Sequence, residues 1–155
     1  LFEHLILETF QAGLSWHTIL TKRENFRKAF DAFDPKKICL YNDKKIEELM
    51  NNTGIIRSKS KILAAINNAN RYFECVQEFG TFDKFIWKFT DYKVIQHKRE
   101  TLKDLPATSD ESDAMSNEMK KRGFKFIGST TCYAYMQSIG MINDHLQSCW
   151  LYGKF

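Results

Sequence analysis

The chain is poor in the residues that break regular structure, with 7 glycines and 2 prolines in 155 positions. So few turn-formers argue against a turn-rich sandwich and favour long uninterrupted elements. Long apolar runs are also missing. The stretch around Leu5 to Leu7 is cut short by charge, so no membrane-crossing helix is expected. The 4 cysteines, Cys39, Cys75, Cys132 and Cys149, are scattered without a CxxC pair. With no leader pattern in view, they lead us to expect free thiols and a reducing, cytoplasmic setting. No repeat of fixed period and no low-complexity tract occurs. What is plentiful is aromatic: 13 Phe, 6 Tyr and 3 Trp in a chain that is 43% apolar and 27% charged. That is enough for a real core, and we expect an all-α, aromatic-rich single domain over residues 1–155. The net charge of +4 suits a polyanionic partner without requiring one.

Apolar periodicity predicts a helix over 1–11, a connection at Gln11-Ala12-Gly13-Leu14, and a second helix capped by Ser15 and running to about Phe30. Further helices are expected after the Asp34-Pro35 turn, over 43–52, after Ser58 as far as Gly80, and from Thr81 to about Phe89. Residues 91–106 read as an irregular crossing between two halves of the domain. Thr108 and Glu111 have capping-box spacing for a helix to Arg122. Gly123-Phe124-Lys125-Phe126-Ile127-Gly128 is a glycine-bracketed turn, followed by a capping cluster, Ser129-Thr130-Thr131, for a last helix to Ile139. The pattern is helix, hairpin, helix. The chain opens at Leu1 directly in a helical pattern, so an N-terminal segment is expected ahead of it.

A glycine-bracketed turn that feeds a helix N-terminus offers unpaired N–H groups and the positive end of the helix dipole to an anion such as a DNA phosphate. Lys120, Lys121, Arg122 and Lys125 add the electrostatic term of a sequence-independent grip. The same pattern also fits an ordinary αα-hairpin with a solvated basic end. The segment LETFQAGLSW joins a carboxylate (Glu8), a flexible turn (Ala12-Gly13), an apolar residue (Leu14) and a large aromatic (Trp16). An enzyme that acts on a base in a duplex must flip it, fill the gap, stack the base and read its edge, and these residues could supply each part. Alternatively, Leu14 and Trp16 belong to the core and Glu8 is solvated.

The blocks LETFQAGLSWHTILTKRENFRKAFDAFDPKKI, TGIIRSKSKILAAINNA and SDAMSNEMKKRGFKFIGSTTCYAYMQSIGMINDH, in that order, closely resemble the bacterial 3-methyladenine DNA glycosylase I family of the helix-hairpin-helix glycosylase superfamily. The resemblance implies a helix-hairpin-helix glycosylase fold and a monofunctional enzyme. Such an enzyme excises 3-methyladenine from alkylated double-stranded DNA by hydrolysis of the N-glycosidic bond, with no redox cofactor and no lysine nucleophile. It implies that Glu8 is the catalytic carboxylate that recognises the base and that Trp16 is a wall of the base pocket. Gly13 and Leu14 would form the turn that probes the duplex, while the turn pattern itself makes Gly123, Lys125, Gly128, Ser129 and Thr130 the candidate phosphate-contacting hairpin. His145 and Cys149 lie four apart, a spacing that puts both on one face of a helix. The family uses such a pair as two ligands of a structural Zn²⁺, with a cysteine and a histidine from the N-terminal segment. Asp144 is read as a helix N-cap and given no catalytic role. A monomer is expected. Two other readings stay open: a noncatalytic helix-hairpin-helix DNA-binding module and a zinc-stabilised protein-interaction module.

Overall fold

The computed structural model describes residues 1–154. Its helices are α1 (Phe2–Gln11), α2 (Trp16–Thr21), α3 (Arg23–Ala29), α4 (Pro35–Ile38), α5 (Asp43–Asn51), α6 (Lys59–Phe79), α7 (Phe82–Trp87), α8 (Asp110–Lys121) and α9 (Ser129–Ser138). Short 3₁₀ turns follow α3 and α7, and another lies at Leu102–Asp104. The 21-residue α6 is the spine. It carries α4, α5 and α7 on its flanks and packs against α1, which lies between α6 and α9. Helices α8 and α9, joined by the 123–128 turn, form the most extensive helix pair.

Aromatic residues fill the centre. Phe10 of α1 meets Phe26 edge to face at 4.9 Å and Phe30 at 5.5 Å, and Phe30 stacks on Phe33 at 6.0 Å. A second group, Tyr72, Phe82 and Phe85, joins α6 to α7. Phe10, Phe26, Phe30 and Phe85 are fully buried. Such ring pairs add about 0.5–1.5 kcal/mol each beyond the area they bury. They fix the far end of α1 and so the residues that follow it.

Several local expectations change in the structure. The helix capped by Ser15 is broken at Lys22, whose N–H bonds back to Ile19 C=O at 3.1 Å, a tight i→i−3 closure that lets α3 turn Phe26, and Phe30 just past its end, toward Phe10. Ser58 occupies the N-cap of α6 without capping it, its hydroxyl lying 3.1 Å from that of Ser60. The capping box of α8 is built by Ser109 and Ser112 in place of Thr108 and Glu111. Ser112 is buried, and its hydroxyl also lies 2.8 Å from the Ser129 hydroxyl, linking the first turns of α8 and α9. Gly128 is the N-cap of α9, so Ser129, Thr130 and Thr131 sit inside the helix instead of capping it.

The 91–106 segment contains β1 (Ile95–Gln96), paired in parallel with β2 (Ile142–Asn143) in the register Ile95↔Ile142 and Gln96↔Asn143. Two-residue strands leave no alternation to read in a sequence. Here they tie the crossing segment to the chain just past α9. No helix among the described residues is long and apolar enough to cross a membrane.

Candidate active site

A cleft of about 790 Å³ opens between the last turns of α1, the turn after it, α9 and the segment that follows β2. Glu8 and Gln11 line it from α1, Gly13 and Trp16 from the turn, Thr130 and Gln137 from α9. Glu8 is only 3% exposed, so its solvated reading fails. The Glu8 carboxyl receives no hydrogen bond or ion pair from the described residues, and burial pushes its pKa up to about 7. A buried carboxylate without a partner is costly. This one faces a cleft where a ligand can provide the missing donors. Trp16 is half-buried, packing against the core while it lines the same cleft.

The turn between α1 and α2 projects Leu14, which is 37% exposed and therefore not a core residue. Gly13 has φ +79°, a left-handed conformation that favours glycine, and nothing crowds its Cα. Ser15 caps α2 through its hydroxyl, which accepts from Thr18 N–H at 3.2 Å.

The hairpin forms as the glycine bracket implies. Gly123 has φ +85°, and Phe126 is also left-handed at φ +57°. Its backbone is held from α6. Cys132 N–H is the first to close onto Gly128 C=O, so the N–H groups of Ser129 and Thr130 are given to no described carbonyl. Lys125 and Thr130 are exposed, and Ser129 keeps its free N–H although its hydroxyl is engaged by Ser112. Arg122 departs from the expected basic rim. It grips Glu78 with two hydrogen bonds, of 2.6 and 2.9 Å, and Glu118 with a third of 2.8 Å, so its charge is already paired. A smaller hollow of about 370 Å³, lined by Ala12, Lys120, Lys125 and Gly128, separates the hairpin from the Leu14 turn.

Asp144 is not a helix cap, because no helix follows it among the described residues. Its buried carboxylate accepts from four groups: Tyr133 Oη, Gln137 Nε2 at 2.9 Å, Arg99 Nε at 2.9 Å and His97 Nδ1 at 2.9 Å. Burial raises its pKa, but the bonds from Tyr133, Arg99, His97 and Gln137 outweigh that and hold it below the usual carboxylate range. This anion is saturated and locks the 97–99 crossing to α9. Sequence reading had no signal for it, since its partners lie 7 to 47 positions away.

His145 and Cys149 do meet, Nδ1 to Sγ at 3.5 Å, through a turn closed by Cys149 N–H to Leu146 C=O and not along a helix face. Bond lengths of about 2.0 and 2.3 Å at a tetrahedral ion put its nitrogen and sulfur ligands roughly 3.5 Å apart, so the pair fits two positions of one Zn²⁺. Among the described residues no group of three or more His, Cys, Asp or Glu could hold a metal.

A sequence profile of methyladenine glycosylases matches residues 1–152. The chain belongs to the methyladenine glycosylase family. It is 44% identical over 152 residues to DNA-3-methyladenine glycosylase 1 of Escherichia coli strain K12, covering 98% of this chain and 81% of the relative. It is 46% identical over 149 residues to DNA-3-methyladenine glycosylase of Haemophilus influenzae, covering 96% and 80%. A solved 3-methyladenine DNA glycosylase I from Staphylococcus aureus superimposes with TM-score 0.95 at 33% identity, over 99% of this chain and 82% of that one. A variant of the same kind of enzyme, solved in complex with 3-methyladenine, gives TM-score 0.93 at 34% identity over 96% and 80%. The all-α glycosylase fold expected from the sequence is therefore the fold of this methyladenine glycosylase.

Proposed function

We propose that this methyladenine glycosylase excises 3-methyladenine from alkylated double-stranded DNA and leaves an abasic site, with Glu8 as the base-recognising carboxylate. The observation that carries the assignment of roles is the buried Glu8 carboxyl, unpartnered among the described residues, lining one cleft with Trp16 beside the exposed Leu14. Leu14 enters the base stack as the lesion swings out, Trp16 offers its π face, and the ionised Glu8 accepts from the edge of the cationic base. Methylation at N3 makes the base a good leaving group. Water attacks C1′, the C1′–N9 bond breaks, its electron pair neutralises the departing base, and the water proton is released to solvent. Among the described residues no lysine lines the cleft, which supports hydrolysis over a covalent imine. Asp144, saturated by four donors, is given no part in activating water.

Gly123, Lys125, Gly128, Ser129 and Thr130 grip the phosphate backbone, and Gly13 lets Leu14 project. Action as a monomer belongs to the same proposal, and the bacterial relatives support a cytoplasmic setting. His145 and Cys149 would hold two of the four positions of a structural zinc, which would pin the turn bordering the cleft. The other two, the cysteine and histidine implied by the resemblance, are not assembled with them among the described residues.

The test is release of free 3-methyladenine from methylated duplex, measured chromatographically. Release by the protein and its loss in Glu8→Gln is the expected result. Salt-dependent duplex binding without release would favour a noncatalytic DNA-binding module.

A further inference from the structure

Two buried polar side chains outside the cleft lie on one helix, α6, and neither takes part in reading the base. Lys61, 9% exposed, donates from its ammonium to Phe10 C=O at 2.8 Å and to Ala12 C=O at 2.6 Å. Two turns on, roughly 10 Å along the axis, Asn68 accepts the Lys125 N–H at 2.8 Å and donates to the Lys125 C=O at 3.0 Å. Asn67 adds a bond to Gly123 C=O at 2.8 Å. The same helix thus holds the turn that carries Leu14 and the hairpin that carries Lys125.

We propose that Lys61 and Asn68 are positioning residues that set the spacing between the duplex-probing turn and the phosphate-gripping hairpin. The proposal rests on the reading of these two segments as the DNA contacts. The carbonyls at the end of α1 have no helical partners and carry the negative end of its dipole, so an ammonium there both satisfies them and ties the helix end to the turn. The primary amide of Asn68 meets the N–H and the C=O of one residue through two separate atoms and so fixes the plane of the hairpin, whereas a hydroxyl would act from a single atom. Both handles stand on one 21-residue helix, so the two loops inherit its stiffness. Lys61 is not the counter-ion of Glu8, whose environment holds it by burial alone.

The experiment measures steady-state excision from methylated duplex and, separately, binding of free 3-methyladenine by tryptophan fluorescence. Lys61→Met should lower kcat about tenfold or more, because a misplacement near 1 Å can cost up to about 100-fold. Its affinity for the free base should stay within about twofold, and Lys61→Arg, which can still donate to both carbonyls, should recover most of the rate. Asn68→Ala should raise KM for the duplex about tenfold with kcat little changed. Should Lys61→Met not fold, Lys61→Gln carries the same comparison. Folded variants with parental kcat and KM overturn the proposal, as does a free-base affinity that falls in step with kcat. A parent protein that releases no base overturns the glycosylase reading as well, whereas an active parent with unaffected variants overturns the positioning role alone.

Discussion

Gln11 and Leu14 hold each other twice across the turn after α1: Leu14 N–H donates to Gln11 C=O at 2.7 Å, and Gln11 Nε2 donates to Leu14 C=O at 2.7 Å. The two bonds close a rigid loop around Ala12-Gly13 and leave the Leu14 side chain outside it. Leu14→Ala should therefore lower excision from duplex about tenfold while shifting stability by no more than about 0.5 kcal/mol. Release assays paired with thermal melting check this. A large fall in melting temperature would return Leu14 to the core.

Glu8 links pH to both stability and catalysis. Its folded pKa, about 7, lies above the ordinary carboxylate value because burial disfavours the charge. The stability it confers is fully present below its unfolded pKa and is lost as pH rises through about 7. The melting temperature of Glu8→Gln should thus pull ahead of the parent between pH 5 and pH 8. Over the same range kcat/KM of the parent should rise, since the ionised form binds the cationic base. Melting curves that run parallel across this range would show Glu8 to be solvated.

The hairpin glycines differ in kind. Gly128 sits at an ordinary negative φ with open space around it, whereas Gly123 is left-handed. Gly128→Val should fold with near-parental stability yet weaken binding to any duplex by crowding the phosphate, as read by anisotropy. Lys125→Ala should weaken binding alike on all sequences and reduce the slope of log K against log salt by about 0.9. Unchanged affinity at low salt in both variants would remove the hairpin from the DNA interface.

Asp144→Ala leaves Tyr133, Gln137, Arg99 and His97 facing an empty buried position, a change expected to cost about 3–5 kcal/mol in denaturant unfolding. Excision per folded molecule should survive at low temperature. Loss of turnover without loss of stability would instead make this aspartate catalytic.

The sequence alone determined the helical composition and the helix-hairpin-helix order, and it singled out the two segments proposed to probe the duplex and grip phosphate. Those features are local: apolar periodicity, Gly13 and Gly123 at left-handed positions, and the contiguous LETFQAGLSW and KKRGFKF strings. It misplaced the α8 cap by one residue because Thr108 and Ser109 both offer a capping hydroxyl, and only the buried link from Ser112 to Ser129 selects between them. The residue pattern left Glu8 undecided between solvent and site, and only the family resemblance favoured the site, since burial depends on the packing of α9 against α1. The contacts of Arg122, Asp144, Lys61 and Asn68 were decided by tertiary structure alone. Their partners are distant in sequence, and a charged or amide side chain carries no mark of the group that will meet it until the chain has closed around both.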